Sequence, residues 1–280
     1  MSTHTVVFIH GNFVSYTSWA AWVQRFEARG YKVITVPYPG RDKPVAELRR
    51  EHPDPRLGQL TIEAVIDHHV RILSGLPEKP IVIGHSFGGL LTQLMVNRDL
   101  AAAAVAIDSV PPQGVLSTQF SFLKSTFPLL NPLTPPSRPY LMPFEHFQYT
   151  FANGMPLDEQ RRLYDQVIVP ESLRLIRGGL SARAHIDFKK PHAPLLLIGG
   201  ETDNIMPAAL NRVNAGRYKA SSSRTDFVVF PGRNHIGIAA PGWEELADYA
   251  LEWAVKAIRT ETEAAPAGVL RPVPVTGPKE

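Results

Sequence analysis

A single serine, Ser86, stands between glycines in the stretch PIVIGHSFGGLL, residues 80–91. Gly84, Ser86 and Gly88 form a G-x-S-x-G pattern, with an apolar run typical of a strand before it and residues typical of a helix after it. At the tip of such a sharp strand-to-helix turn the backbone is strained, and the residues two positions away must be small. The pattern therefore predicts a serine hydroxyl held clear of the backbone, as a nucleophile requires. A phosphate-binding loop fits less well, because GHSFGG has neither a G-x-G-x-x-G pattern nor a terminal Lys-Ser/Thr pair.

A serine hydroxyl becomes a good nucleophile only when a base removes its proton, so one of the ten histidines should lie beside it. His235 follows the last predicted strand, in FPGRNHIGIAAPG, and is the predicted base. His85 is adjacent to the serine, but neighbouring side chains diverge on a sharp turn. Other histidines are expected in structural or surface positions: His10 supporting its loop, His68 and His69 on the surface of a helix, and His185 and His192 in or near an insertion.

The base needs a carboxylate to orient it, and three acidic residues compete for this role. Asp203, in LLLIGGETDNIMP, follows a predicted strand and lies between Ser86 and His235 in the chain. The order Ser, Asp, His is the one that a G-x-S-x-G turn in this architecture uses. Asp108 in AVAIDSVPP also ends a predicted strand and remains the main alternative, with Glu201 third. Asp203 is the predicted acid.

Negative charge that develops on a substrate oxygen must be stabilised by hydrogen-bond donors. The amide of Phe87 is one candidate, because it opens the helix that follows the serine and helix N-termini favour negative charge. The second hydrogen-bond donor should come from the loop after the first strand, HGNFVSYTSW, where Gly11 lets the backbone turn close to the site. The amide of Asn12 is the predicted donor there, with that of Phe13 as the alternative.

The elements that must position these residues alternate between strand-like and helix-like segments. Near-continuous apolar runs bounded by turn residues predict strands at 5–10, 31–38, 80–85, 103–108, 194–200 and 226–232. Amphipathic segments between them predict helices, and this alternation is typical of a mostly parallel sheet covered by helices on both faces. Active sites in such α/β folds lie at the carboxyl ends of the strands, where all the candidate residues fall.

The chain divides into a core that is interrupted once. Residues 110–190 break the alternation with many prolines and bulky aromatic residues, and they predict a helical cap or lid inserted between the two parts of the core, 1–109 and 191–260. Residues 39–58, rich in proline, glycine and charge, are predicted as a surface loop. The proline- and alanine-rich tail, 261–280, is predicted to be disordered.

The predicted lid contains FSFLKSTFPLL and YLMPFEHFQYTF, which are dense in phenylalanine, leucine, methionine and tyrosine. These side chains either line an apolar substrate pocket or hold the lid on the core. On the first interpretation, the candidate substrate-binding residues are Phe13, Phe120, Phe144, Phe147 and Ile205.

Composition excludes several classes of function. The formal net charge is only +3, and no Lys/Arg-rich run or basic-aromatic pattern suggests a nucleic-acid partner. Cysteine is absent, which excludes disulfides, thiolate metal sites and a cysteine nucleophile. No apolar segment approaches the roughly 20 residues that span a bilayer, and no signal peptide opens the sequence. We therefore expect a cytoplasmic protein with a small-molecule substrate. Its oligomeric state is not readable from the sequence.

The motifs resemble those of the α/β-hydrolase superfamily, in its serine-nucleophile, esterase- and lipase-like branch with a helical cap. Four features occur in the family's order: HG with a tryptophan eight residues on, GHSFGG, an aspartate after the next-to-last strand, and NH after the last strand. The resemblance covers roughly residues 5–258, with 110–190 matching only as the position of the cap. One departure is that the chain begins at the family's third strand, so the first two strands are expected to be absent.

The resemblance implies a Ser86–His235–Asp203 triad that works without a cofactor or metal. The expected function is hydrolysis of a carboxylic ester-type bond in a small, hydrophobic substrate, through an acyl-enzyme on Ser86. The same triad could instead serve perhydrolysis of the haloperoxidase type, C–C bond hydrolysis, lactone hydrolysis or a lyase reaction. A non-catalytic ligand-binding protein on this fold is a further alternative, although such a protein would not need all three residues.

Overall fold

The structure is a computed structural model, and it describes residues 3–264 of the 280. The strands are β1 (Thr5–Ile9), β2 (Lys32–Val36), β3 (Ile81–His85), β4 (Ala103–Ile107), β5 (Pro139–Tyr140), β6 (Glu171–Ser172), β7 (Leu195–Gly200) and β8 (Thr225–Phe230). The α-helices are α1 (Ala20–Glu27), α2 (Val45–Arg50), α3 (Ile62–Ser74), α4 (Phe87–Asn97), α5 (Phe120–Leu130), α6 (Phe144–Thr150), α7 (Leu157–Val167), α8 (Leu173–Gly178), α9 (Ala208–Arg217) and α10 (Trp243–Ala264).

Six of these strands form one sheet in the order β2-β1-β3-β4-β7-β8, with every neighbouring pair parallel. Strands β5 and β6 form a separate antiparallel pair. The predicted α/β fold, a mostly parallel sheet flanked by helices, is thus confirmed. Among residues 3–264, no antiparallel strand joins the main sheet.

Alternate residues of each central strand pack on opposite faces of the sheet, as the two-residue period of a strand requires. In β1, Val6 and Phe8 join a core with α1 and α10, whereas Val7 and Ile9 join a core with α3 and α4. Trp19, the tryptophan that follows the HG motif by eight residues, is fully buried. Its ring stacks on Phe8, with ring centroids 4.7 Å apart. The continuous apolar runs of the sequence therefore reflect strands that are buried on both faces.

Helices α5 to α8 lie in the chain between β4 and β7 and cover the carboxyl edge of the sheet. A third apolar cluster joins cap residues such as Phe147 and Leu173 to residues from the loops of the core, among them Phe13, Ile205 and Ile236. This contact puts a lid of apolar side chains over the edge at which the candidate residues lie.

Three local predictions need correction. The predicted surface loop 39–58 contains helix α2, because Leu48 is buried and Lys43 pairs with Glu47 and Glu51. The predicted disordered tail is helical over 261–264, since α10 continues to Ala264, and residues 265–280 lie outside the described residues. His69, expected on the surface, is fully buried and bonds through Nδ1 to the Val65 carbonyl one turn earlier.

Among the helices of residues 3–264, none combines the length and the apolar character of a membrane span.

The two glycines around Ser86 are required by close packing. A Cβ on Gly84 would lie 2.2 Å from the carbonyl oxygen of Gly88, and a Cβ on Gly88 would lie 2.1 Å from that of Ile9. These obstacles are backbone atoms of β1 and of the first turn of α4, which cannot rotate away as a flexible side chain could. The turn between β3 and α4 therefore tolerates no side chain at either position.

We expect Gly88→Ala to destabilise the fold by about 1–3 kcal/mol, the usual cost of overpacking, because its methyl group must displace the backbone of β1. Gly216→Ala is the matched control. It also lies in a helix, α9, and its Cβ would meet no atom within 4 Å. Replacing glycine there should stabilise the helix by about 0.5–1 kcal/mol. Urea unfolding of both variants tests this, and equal effects would contradict the packing argument.

Candidate active site

Ser86 occupies the turn between β3 and α4 with a backbone conformation that non-glycine residues rarely adopt, φ 57° and ψ −119°. Its amide donates to the Ile107 carbonyl at 2.9 Å, and its carbonyl accepts from the amides of Gly89 and Val110. These bonds hold the strained turn on the carboxyl ends of the strands. The Ser86 side chain is 6% exposed and borders a cavity.

His235 lies in the loop after β8, and its side chain reaches Ser86. Its Nε2 is 2.9 Å from Ser86 Oγ, and its Nδ1 is 2.6 Å from Asp203 Oδ2. The imidazole is fully buried, which lowers its pKa. A neutral ring whose Nδ1 proton faces a carboxylate leaves Nε2 as the acceptor for the serine hydroxyl. The arrangement is therefore that of a base next to a nucleophile.

Asp203 follows β7, and the backbone after it defines where its carboxylate lies. Oδ1 accepts the amides of Ile205 and Met206, both at 2.8 Å, while Oδ2 faces His235. Burial raises the pKa of Asp203, and these two amide bonds oppose the rise by favouring the charged form. Every oxygen of this carboxylate thus has a directed partner.

Asp108, the main alternative acid, lies nearby but is used differently. Its Oδ1 accepts the Gly200 amide at 2.6 Å, and no hydrogen bond joins it to His235 among the described residues. Burial, and then the negative charge of Asp203, raise the pKa of Asp108. Glu201 is exposed and accepts the Gly232 amide at 2.8 Å. The geometry thus favours Asp203 over both alternatives.

His85, Asp108 and His235 each bring a potential metal-ligating atom to within 4.8 Å of the others. These donors do not suit a metal, because both ring nitrogens of His235 already face Ser86 and Asp203. His85 uses its Nε2 to bond the His235 carbonyl at 2.8 Å. His85 therefore supports the His235 loop through this bond.

Asn12 and Phe87, whose backbone amides are the predicted oxyanion donors, line the same cavity as Ser86. Phe87 is the first residue of α4, so its amide has no partner within the helix. Asn12 comes close because Gly11 packs against the serine: a Cβ on Gly11 would lie 2.9 Å from Ser86 Cβ. Both predicted oxyanion donors are thus backbone groups next to the serine.

The peptide group between Gly11 and Asn12 is oriented by His10. The Tyr38 amide lies 3.3 Å from His10 Nε2, which must therefore be the accepting nitrogen, so the proton is on Nδ1. Nδ1 then donates to the Gly11 carbonyl at 2.8 Å. Because the carbonyl and amide of a trans peptide point in opposite directions, this bond turns the Asn12 N–H away from His10. Burial lowers the pKa of His10 to about 3, which keeps the ring neutral.

The cavity has a volume of about 350 Å³. Phe13 and Ile205, both predicted to bind substrate, line it. Apolar residues that sequence reasoning did not single out also line it: Val110, Val115, Phe122, Leu129, Phe151, Ile176 and Met206. Only the coarse signal of an apolar lid pointed to Phe122 and Leu129 of α5 and to Phe151, which directly follows α6.

Three predicted substrate-binding residues do not line the cavity. Phe120 is 76% exposed on the outer face of α5, roughly 200° around the helix from Phe122, which faces inward. Phe147 is fully buried inside the cap, and Phe144 packs on Tyr164 with ring centroids 5.3 Å apart. Phe147 and Phe144 pack inside the cap, and Phe147 also belongs to the apolar cluster that joins the cap to the core, as the alternative interpretation proposed. Phe120 fits neither interpretation.

Solved structures with the same fold cover nearly the whole chain. A monoacylglycerol lipase from Paleococcus ferrophilus matches with a TM-score of 0.63 and 20% identity, over 91% of this chain and 96% of its own. An extracellular α/β-hydrolase from a Paenibacillus species matches with a TM-score of 0.67 and 20% identity, over 89% of this chain and 98% of its own. A methylesterase from Arabidopsis matches with a TM-score of 0.63 and 18% identity, over 89% of this chain and 98% of its own. At these identities the likeness shows the fold alone.

A comparison with curated protein sequences found no significant match. The sequence model of the alpha/beta hydrolase family, however, matches residues 6–249, which include the serine turn, the aspartate and the histidine described above. The match covers most of the chain and agrees with the parallel sheet, its order and the cap. The chain belongs to the alpha/beta hydrolase family.

Proposed function

We propose that the protein is a serine hydrolase that cleaves a carboxylic ester bond of a small, hydrophobic substrate through an acyl-enzyme on Ser86. The observation that carries the proposal is the continuous hydrogen-bonded line from Asp203 through His235 to Ser86 Oγ, where Ser86 lines an apolar cavity. A nucleophile, a base within reach of it and a carboxylate that orients the base together suit acyl transfer.

In the first half of the reaction, Ser86 Oγ attacks the ester carbonyl carbon while His235 Nε2 takes its proton. The amides of Asn12 and Phe87 stabilise the oxyanion that forms, and Asp203 stabilises the imidazolium. The imidazolium then gives its proton to the alcohol oxygen, the C–O bond breaks and the alcohol leaves.

In the second half, His235 takes a proton from a water molecule that attacks the acyl-enzyme. The second tetrahedral intermediate uses the same two amides. Its collapse returns the proton to Ser86 Oγ and releases the carboxylic acid. No electron transfer or cofactor enters this sequence of steps.

The cavity supports an uncharged, hydrophobic substrate. Within the described structure, the side chains that line it include no charged group, and its polar side chains are Asn12, Ser86, Gln113 and Thr126. Leu116 and Leu180 line the cavity while remaining 76% and 58% exposed, so they mark its opening to solvent. A charged acyl or alcohol group would lose its hydration there without a compensating partner.

Perhydrolysis, lactone and C–C hydrolysis and lyase chemistry remain alternatives that use the same three side chains. A cytoplasmic location and the absence of a nucleic-acid partner also stay predictions.

We expect a fluorophosphonate probe to label the Ser86 peptide, and Ser86→Ala to abolish both labelling and ester hydrolysis, a loss on the order of 10⁶-fold in kcat. Peptide mapping by mass spectrometry and a series of p-nitrophenyl esters of increasing chain length measure these effects. Ser74→Ala, on the exposed end of α3, should react like wild type. If neither the probe nor a smaller phosphonylating reagent labels the wild-type protein, the result favours the ligand-binding alternative.

Asp203→Asn should lower kcat by about 10⁴-fold, since it removes the carboxylate that holds the His235 tautomer. Asp108→Asn should cause a much smaller loss, because Asp108 makes no hydrogen bond to His235. Steady-state kinetics with one ester compares the two directly. The opposite order of losses would assign the acid to Asp108.

The pH dependence should report the buried His235, which acts as a base only when neutral. Burial lowers its pKa below 6.5, so the neutral form persists as pH falls through 6.5. We therefore expect the acid limb of kcat/KM for an uncharged ester to have its midpoint below pH 6.5, measured in a pH-stat. A midpoint above 6.5, with the protein shown to be folded by circular dichroism at each pH, would contradict this.

A further inference from the structure

A buried side-chain amide in α9 links two loops at the carboxyl edge of the sheet. Asn211 has no exposed surface. Its Oδ1 accepts the amide of Ser109 at 3.1 Å, and its Nδ2 donates to the Met206 carbonyl at 3.1 Å. Because one partner is a donor and the other an acceptor, the side-chain amide has a single orientation that serves both. Ser109 follows β4 and Met206 follows β7, so Asn211 bridges the loops after two neighbouring strands.

On one side of this bridge lies the turn that carries the acid. The Met206 amide donates to Asp203 Oδ1 at 2.8 Å, while the Met206 carbonyl accepts from Asn211. The next residue, Pro207, has no N–H and so cannot hold this turn through a bond of its own amide. Asn211 therefore fixes the far end of a residue that directs the Asp203 carboxylate.

On the other side lies the segment that holds the nucleophile. The hydroxyl of Ser109 accepts a hydrogen bond from Gln93 Nε2 of α4 at 2.7 Å, and it donates to the Val110 carbonyl at 2.8 Å. The amide of Val110 then donates to the Ser86 carbonyl at 3.0 Å. The segment that Asn211 bonds is thus attached both to α4 and to the serine turn at its start.

Two hydrogen-bonded paths therefore connect Asp203 with Ser86. The first is the line through His235, whose ring bonds the acid at 2.6 Å and the nucleophile at 2.9 Å. A rigid ring can make both bonds only when the two partners lie at the right separation. The second path runs through Asn211, across the end of β4, which lies between the strands that precede the two residues. It is therefore placed to set that separation.

We propose that Asn211 is a positioning residue for the triad: by bonding the loops after β4 and β7 together, it sets the separation of Asp203 and Ser86 at which His235 can bond both. This inference rests on the proposed function. Asn211 is not among the described residues that line the cavity, so it acts through the backbone of its two partners.

A second asparagine of the same helix provides the matched comparison. Asn214, about one turn further along α9, is equally buried. Neither its Oδ1 nor its Nδ2 has a hydrogen-bond partner among the described residues. Substituting either asparagine removes a buried amide from α9, but only the change at Asn211 removes the bridge.

The first test compares Asn211→Leu with Asn214→Leu, with rates expressed per site that reacts with the fluorophosphonate at completion. For Asn211→Leu we expect kcat to fall about 10- to 100-fold, with a much smaller rise in KM, because a misplacement of about 1 Å can cost about 100-fold in rate. Asn214→Leu should keep wild-type kcat.

The second test asks whether the loss passes through the acid. In Asp203→Asn the carboxylate no longer holds the His235 tautomer, so the separation that Asn211 sets has little left to act on. We expect Asn211→Leu to lower kcat by no more than about twofold in that background, because the two changes affect one linkage. Equal losses in the two backgrounds would show that Asn211 acts independently of Asp203, which would overturn the inference.

Thermal unfolding separates positioning from structural support. A lower Tm in Asn211→Leu with unchanged kcat per reactive site would overturn the inference and leave the proposed function intact, as would a rise in KM at constant kcat. If Asn211→Leu does not fold, Asn211→Ala, which adds no bulk, is compared with Asn214→Ala and decides the question in the same way. A wild-type protein that takes no label would overturn the proposed function and this inference together.

Discussion

The close approach of the start of α4 to the end of β1 is the constraint on which the rest of the site depends. Because Gly84 and Gly88 have no side chains, α4 begins directly against the backbone of β1. Gly11 likewise lets the loop after β1 pass close to Ser86. This separation lets residues from two different elements, Asn12 and Phe87, line one cavity beside Ser86. The glycines are therefore needed for the backbone geometry around the cavity as well as for the turn that carries Ser86.

Burial then gives the site its electrostatic character. His235 has no exposed surface, and the ring of Phe151 from the cap lies 4.6 Å from it. Removing water in this way lowers the pKa of His235 and strengthens each directed hydrogen bond, including the two amides that fix Asp203. The cap thus does more than cover a pocket: it excludes water from His235 and, through the Val169 amide, bonds the Phe13 carbonyl in the loop after β1.

Motifs and chain order were enough to predict three side chains that the structure joins by hydrogen bonds, because each is tied to a local backbone feature. Ser86 lies on the turn that the G-x-S-x-G pattern predicts, and Asp203 and His235 lie in the loops after strands whose ends meet at one edge of a parallel sheet. The family match and the sheet order agree with that interpretation. The choice between Asp203 and Asp108 was less secure, since both end adjacent strands and only the direction of each carboxylate distinguishes them.

The sequence by itself determined the alternation of strands and helices, the parallel sheet, the turn at Ser86 and the set of residues at its carboxyl edge, since these follow from local pattern and connectivity. Only the tertiary structure decided which cap side chains face the substrate. Phe120 and Phe122 are equally apolar, yet helix rotation puts one in solvent and the other in the cavity. It also brought Val169 beside Phe13, where its amide bonds the Phe13 carbonyl, a contact between residues far apart in the chain that no local pattern encodes.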